Sequence, residues 1–293
     1  MVDNQRQGLV KKQTLTEAEV AEIEQLATLC NSHEDLYLNF GWLRGRTAEG
    51  EVNDFLYYAN DALVGYLNVS SYGTKEKELT GMVHPEYRRK GIFRMLLAAA
   101  KEECLQRGVQ KVLLVCEHAS ASGLAFAAAT GAQHEFSEHA MVLGMFQEKG
   151  LVDERLQIRQ ADANDTEALI SITTTDFSNA EEAKLYVIDF VQRLNQRFYL
   201  AVFGEKPIGC LRLDEMEEEV GIYGFVVHPD YRGRGYGRQL LEAVIRVLQA
   251  ESQKRITLEV ETDNLNAFGL YRSCGFQVKT TYDYYGMSVH AEK

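Results

Sequence analysis

Phe225-Val-Val-His-Pro-Asp-Tyr-Arg-Gly-Arg-Gly-Tyr-Gly-Arg-Gln-Leu-Leu241 joins an apolar run to an amphipathic stretch through a glycine-rich turn. Gly81-Met-Val-His-Pro-Glu-Tyr-Arg-Arg-Lys-Gly-Ile-Phe-Arg-Met-Leu-Leu97 repeats the pattern 144 residues earlier. His-Pro, Tyr-Arg and one turn glycine fall in the same register. Outward from these stretches, Gly65 matches Gly209, Leu67 matches Leu211, Leu114 matches Leu258, Glu117 matches Glu261 and Gly131 matches Gly275 at the same spacing. A constant offset over this span implies two copies of one fold. Units this long are tandem domains rather than solenoid repeats.

Composition agrees. The 293 residues suggest two domains of roughly 150 each. Net charge is −12, divided as −5 over residues 1–149 (15 basic, 20 acidic) and −7 over the rest (16 basic, 23 acidic). Neither half is a basic nucleic-acid-binding module, and no nucleic-acid partner is expected. No run approaches the ~20 apolar residues of a membrane span, and the polar segment Met1–Lys12 does not read as a signal peptide. The five cysteines, Cys30, Cys104, Cys116, Cys210 and Cys274, form no paired framework, CxxC or Cys/His cluster. Reduced thiols, a cytoplasmic location and no metal are the expectations.

The second copy reads as strand Leu156–Arg159, a helix starting at Asn164 with Glu167, helix Lys184–Leu194 and a hairpin Phe198–Val202/Ile208–Leu213. Strand Val220–Val227, helix Arg238–Ala250, strand Ile256–Val260, helix Asn266–Ser273 and strand Tyr282–Val289 follow. The first copy repeats most of this order. Thr16 and Glu19 form a capping box, while the stretch from Glu34 to Trp42 is a less regular helical region. One strand-helix-strand crossover per copy predicts an α/β sandwich in each. Gln147-Glu-Lys-Gly150 is the expected junction, giving domains 1–148 and 149–293.

The turn carries the chemistry. Free N–H groups and the dipole at a helix start make an anion site. Glycine lets backbone approach a phosphate, and Arg232 and Arg234 add charge-assisted donors. The glycines fall as GxGxG, not GxGxxG, which disfavours a Rossmann dinucleotide site. Val227-x-Pro229-x-Tyr231-Arg232-x-x-Gly235-x-Gly237 resembles the acetyl-coenzyme A motif of the GNAT superfamily of N-acetyltransferases. A second block, Val260-x-x-x-Asn264-x-x-Ala267-x-x-Leu270-Tyr271-x-x-x-Gly275-Phe276, is similar to that family throughout, and Ile158-Arg159-x-Ala161 looks like its first strand.

The resemblance implies two tandem α/β domains, each a mixed, mostly antiparallel sheet flanked by helices. A splayed strand pair in each would admit the pantetheine arm of coenzyme A. Phe225, Val226 and Val227 would border the thioester, with N–H groups near Val226 and Val227 stabilising its oxyanion. Gly233, Arg234, Gly235, Tyr236, Gly237 and Arg238 would hold the pyrophosphate, together with Arg232. Asn264 and Ala267 would contact the arm, although Asn264 is equally a helix cap. Tyr271 would protonate the leaving sulfur. A cationic amine must lose a proton before attack, and Glu219 is the candidate base. Glu217 and Glu218 beside it also make a solvated charge cluster. His228 and Cys274 read as structural. Acceptor specificity would lie in Thr173–Leu185 and in the final strands, where Tyr282, Tyr284 and Tyr285 cluster.

The 144-residue offset places Ala127 at Tyr271, Ser120 at Asn264 and Phe93 at Gly237. The first domain is therefore expected to be degenerate and non-catalytic. The implied activity is transfer of acetyl from acetyl-coenzyme A to a primary amine of a small molecule or peptide. It would proceed by direct attack in a ternary complex, in a monomer or homodimer. Two alternatives stand: an acyl-coenzyme A-binding sensor or assembly module without turnover, and transfer of another acyl group, as in two-domain members such as mycothiol synthase.

Overall fold

Each copy of the repeat becomes a twisted sheet with helices on both faces. The computed structural model describes residues 6–40, 43, 50–70, 76–150, 153–175, 180–191 and 196–290. Trp42 and Leu194, at the ends of two expected helices, lie outside the described residues.

The first unit comprises Met1–Glu138 and Thr280–Lys293. Its elements are β1 (Gly8–Lys12), α1 (Glu17–Glu34), β2 (Asp54–Ala59), β3 (Ala62–Val69), β4 (Glu76–Val83), α2 (Ile92–Gln106), β5 (Lys111–Glu117), α3 (Ala121–Thr130) and the start of β6 (Gln133–Leu143). The second unit is His139–Lys279. It contains β7 (Leu156–Gln160), α4 (Thr166–Thr173), α5 (Ala180–Val191), β8 (Gln196–Phe203), β9 (Lys206–Glu215), β10 (Glu219–Val227), α6 (Tyr236–Glu251), β11 (Arg255–Glu261), α7 (Leu265–Cys274) and the start of β12 (Phe276–Ser288). Strand order is β1-β2-β3-β4-β5-β12 in the first unit and β6-β11-β10-β9-β8-β7 in the second. β4–β5 and β10–β11 pair in parallel, whereas β1–β2, β2–β3, β3–β4, β5–β12, β7–β8, β8–β9 and β9–β10 are antiparallel.

These units differ from a single cut at Gln147–Gly150. Tyr282–Ser288 of β12 pairs with Lys111–Glu117 of β5, and Tyr285, Met287 and Val289 pack with Leu96, Val112 and Leu114. Met141, Leu143 and Phe146 pack instead with Leu241, Leu258 and Phe276. The last strand of each repeat therefore ends in the other repeat's sheet, an exchange that a sequence offset does not reveal.

Amphipathic spacing builds the layers. Leu240, Leu241, Val244, Ile245 and Leu248 of α6 are all buried against Val220, Ile222 and Leu258. Each contributes about 1.5–3 kcal/mol of burial. On the opposite face Leu169, Ile172 and Val187 of α4 and α5 cover Phe198, Leu200, Cys210 and Val226. In the first unit α2 covers one face, and α1 the other through Ile23, Leu26 and Cys30 against Leu56 and Tyr66.

Caps follow the sequence at α1, where Thr16 and Glu19 exchange side-chain and backbone bonds. At α4 they do not. Asp165, not Asn164, is its N-cap residue, without a side-chain capping bond, and Asp162 caps the turn ahead of it: the Asp162 carboxylate accepts from Asn164 N–H at 2.8 Å, and Asp165 reciprocates to Asp162 N–H at 2.9 Å. A 3-10 turn over Ala163–Asp165 precedes the helix, so Asn164 sits inside it. The stretch after Glu34 is not helical either, because Asp35 turns to φ 54 and ends α1.

Glu78 of β4 has its pKa raised to about 7, first by burial and then by Glu138 and Glu76. A raised carboxyl favours the fold while protonated. That contribution is fully present below pH ~4.5 and is lost as pH climbs to ~7. Glu78→Gln is expected to be more stable than the parent at pH 8 by on the order of 1–2 kcal/mol, with the gap closing towards pH 4.5. Urea unfolding at the two pH values checks it.

Candidate active site

The site begins where two parallel strands part. Glu219–Ile222 pair with Arg255–Leu258, and the pairing then stops, so β10 and β11 diverge towards their carboxyl ends. In the first unit Glu76–Leu79 pair with Lys111–Leu114 and then part in the same way.

Beyond the parting, β10 carries a bulge. Tyr223 faces Arg212 while Val226 faces Cys210, so Gly224 and Phe225 share one partner position. Gly224 stands at φ 54. The first unit is regular here, with Leu79, Thr80, Gly81, Met82 and Val83 facing Val69 down to Gly65 in turn. Leu213 and Ile222 thus answer to Val69 and Leu79 at offsets of 144 and 143. The unbroken 144-residue offset conceals a hairpin one residue shorter, compensated by Gly224. Past the bulge, His228 N–H donates to Ile208 of β9 at 2.8 Å. Strand alternation then turns the N–H of Val227, and not that of Val226, towards the gap.

The turn follows. His228 Nδ1 accepts from Asp230 N–H at 3.3 Å, and His84 does the same for Glu86 at 3.2 Å, so both histidines cap a 3-10 turn. Gly233 and Gly235 take φ 73 and 84, a backbone that side chains resist. Gly235 opens α6 with no side-chain cap. The first N–H groups of α6, at Tyr236, Gly237 and Arg238, therefore meet no capping oxygen, which suits a phosphate. Arg232 and Arg234 are exposed beside them. Arg232 Nε donates to Val227 O at 2.7 Å, and Arg234 lies over the Tyr231 ring. Two expected ligands offer only backbone. Arg238 spends its guanidinium on Glu242, Ser273 and Cys274. Tyr236 is buried, with its hydroxyl on Asp153.

Across the gap, Asn264 caps α7, accepting from Ala267 N–H at 3.1 Å. That uses its carbonyl oxygen only. Tyr271 is 7% exposed, among Phe225 and Phe276 at ring-centre distances of 6.1 Å. Glu219 is buried at the far end of β10, with Arg255 at 3.4 Å. Seven residues of strand put it roughly 20 Å from Val226, beyond the reach of a side chain and one bridging water. It is not placed to act as base. Tyr282, Tyr284 and Tyr285 pack the first unit: Tyr282 donates to Tyr37 O, Tyr284 stacks on Phe136 and bonds Glu138, and Tyr285 joins the core beside β5. Within Thr173–Leu185, residues 176–179 lie outside the described residues.

The cysteines are all free thiols. Burial raises the pKa of Cys30, Cys104 and Cys274, and pushes Cys116 up to about 12 with help from Asp283. Such thiols stay protonated and unreactive at neutral pH. Among the described residues no group of His, Cys, Asp and Glu could hold a metal ion, and no helix is long and apolar enough to cross a membrane.

The first unit fills the corresponding gap itself. Glu34, at the end of α1, pairs with Arg88 at 2.5 Å and accepts from the Ser120 and Ser122 hydroxyls at 3.1 and 3.0 Å. One carboxylate thus joins the turn after β4 to the helix start after β5. Glu117 seals the same end, accepting from Tyr37 N–H and the Thr280 hydroxyl, each at 2.6 Å. Phe93, in the first turn of α2, meets Phe126 edge-on at 4.8 Å, and a methyl at Gly81 would lie 3.0 Å from its ring. The second unit reverses this: the ring is Phe225 on the strand, and the glycine is Gly237 on the helix. A methyl there would sit 3.3 Å from Val227 and 3.6 Å from the Phe225 ring. The ring that crowds the helix start in one copy lies on the strand in the other.

The sequence profile described as the acetyltransferase (GNAT) family matches residues 18–131 and again 166–276. The chain belongs to the GNAT acetyltransferase family. It is an acyltransferase with two tandem GNAT domains. Mycothiol acetyltransferase of Kineococcus radiotolerans is 28% identical over 258 residues, 82% of each chain. A GCN5-related N-acetyltransferase from Sphaerobacter thermophilus superposes with a TM-score of 0.78 at 20% identity, over 97% of each chain. A tandem GNAT protein from the clavulanic acid biosynthesis pathway gives 0.69 at 16% identity, over 97% of this chain and 99% of its own. GNAT enzymes generally use acetyl-coenzyme A and act on amines of small molecules, peptides or proteins.

The two turn glycines make different demands. Gly235→Ala forces a β-carbon into left-handed backbone and should cost about 1–2 kcal/mol. Gly237→Ala, in helical backbone, should change stability by less than about 0.5 kcal/mol. Urea midpoints of the two variants measure the contrast.

Proposed function

We propose that the protein is an N-acetyltransferase with one site, in the second unit. It moves acetyl from acetyl-coenzyme A to a primary amine of a small molecule or peptide. The observation that carries this reading is the contrast between the gaps. One keeps the bulge, Gly237 in the turn, Asn264 and Tyr271; the other is closed by Glu34, with Phe93 at its helix start and Ala127 where a proton donor would stand.

In this reading the N–H groups opening α6, with Arg232 and Arg234, hold the pyrophosphate. The amide of Asn264 and the surface near Ala267 meet the pantetheine arm. Phe225 and Val226 line the thioester. The N–H of Val227 bonds its oxygen as negative charge develops there, and it is worth most because it is fixed before the reaction. The free amine, deprotonated by solvent, attacks directly: its nitrogen binds the carbonyl carbon and sheds its remaining excess proton to water as the carbon–sulfur bond breaks. Tyr271 gives its phenolic proton to the departing sulfur and regains one from solvent. The inert thiols support direct transfer over a cysteine-bound acyl group.

Two measurements test the reading. Calorimetric titration with coenzyme A is expected to give one site per chain, and two would overturn it. With a panel of small amines and peptides, thiol release should depend on the amine, and Tyr271→Phe should lower kcat by about 10²-fold with little change in KM for acetyl-coenzyme A. Binding without amine-dependent release would favour a sensor or assembly module instead.

A further inference from the structure

The bulge of β10 has a partner on α5. A methyl at Gly224 would lie 2.9 Å from the hydroxyl oxygen of Tyr186 and 3.6 Å from its nearest ring carbons. That hydroxyl accepts from Arg212 Nε at 3.0 Å. Arg212 is 5% exposed. Its guanidinium also bonds Gln196, stands 3.6 Å from Asp214, and lies 5.0 Å over the Tyr223 ring and 5.4 Å over the Tyr186 ring. From below, the Cys210 thiol reaches Gly224 O at 3.9 Å.

One buried cation therefore grips both sides of the bulge. Tyr223, the residue before it, packs on the guanidinium, and the hydroxyl that fills the space beside Gly224 is bonded to the same group. An arginine this buried needs such partners, and their geometry is correspondingly rigid. The first unit supplies a control within the same chain. Asn68 stands at the position of Arg212 and bonds the Asp54 carboxylate at 3.0 Å, and β4 beside it has no bulge. Within the chain, clamp and bulge occur together.

We propose that Tyr186 is a positioning residue for acyl transfer. Anchored by Arg212, its hydroxyl packs against Gly224 and holds the bulge in the register that aims the Val227 N–H into the gap. The inference rests on the reading that the second unit transfers acyl groups. Tyr186 takes no proton and touches no reacting atom; it acts through the backbone.

The test uses the full chain with acetyl-coenzyme A and whichever amine the parent consumes. Tyr186→Phe keeps the ring and removes the clamp. It is expected to lower kcat about tenfold while KM for acetyl-coenzyme A stays near the parent's and the thermal midpoint, though lower, stays above the assay temperature, a split that lost folding would not produce. Gly224→Ala should lower kcat further in the parent than in the Tyr186→Phe background, because the atom its methyl strikes is then gone. The inference is overturned if Tyr186→Phe retains full kcat, if it loses kcat only in proportion to folded protein, or if Gly224→Ala costs the same in both backgrounds. A parent that consumes acetyl-coenzyme A with no amine overturns the transferase reading as well. An active parent with an unaffected Tyr186→Phe overturns this inference alone.

Discussion

A parallel strand pair that stops pairing inside a sheet leaves backbone donors and acceptors with nothing across from them. Burying such groups unbonded is costly, so something must occupy the space. This one constraint organises both units. In the first, the chain supplies the occupant: a carboxylate from the end of α1, a sealing glutamate on β5 and two phenylalanine rings. In the second, Asn264 stands where Ser120 bonds that carboxylate, the turn holds one more glycine at the helix start, and the strand carries a bulge at Gly224. In the reading proposed above, the same defect is closed in one copy and kept for a ligand in the other.

The closure is also an electrostatic statement. As Arg232 and Asn264 would at the same positions of the second copy, Arg88 and the serine at the start of α3 would attract an anion. Glu34 satisfies them from within, and the pairing with Arg88 and the serine hydroxyls holds its carboxyl below the ordinary range in spite of burial. A coenzyme would have to displace a group already charged, bonded and tethered. An internal carboxylate at that place makes the gap a structural joint without disturbing the sheet around it.

Much of this was legible in the residues. The glycine turn, the capping box at Thr16, the amphipathic face of α6 and the helix start at Asn264 are local, and local chemistry writes itself into spacing. The elements that escaped depend on partners distant in the chain. Asn164 does not start the helix because Asp162 just ahead of it accepts the Asn164 N–H and winds a 3-10 turn first. The bulge at Gly224 was hidden because a shorter hairpin restored the count. Glu34 was indistinguishable from any solvated helix-end carboxylate until Arg88, 54 residues away, was beside it. Glu219 shared a strand face with the site but not its end, and alternation alone carries no distance.

The exchanged strands bear on how the molecule is made. A chain emerges from the ribosome amino end first, and most tandem proteins can finish one domain before the next appears. Here the first sheet lacks its sixth strand until Tyr282–Ser288 has been synthesised. Until then β5 presents a bare edge, the kind of surface on which chains pair wrongly. The early half must wait for a strand that the second repeat supplies, so its sheet is completed only after that repeat's other strands have been made.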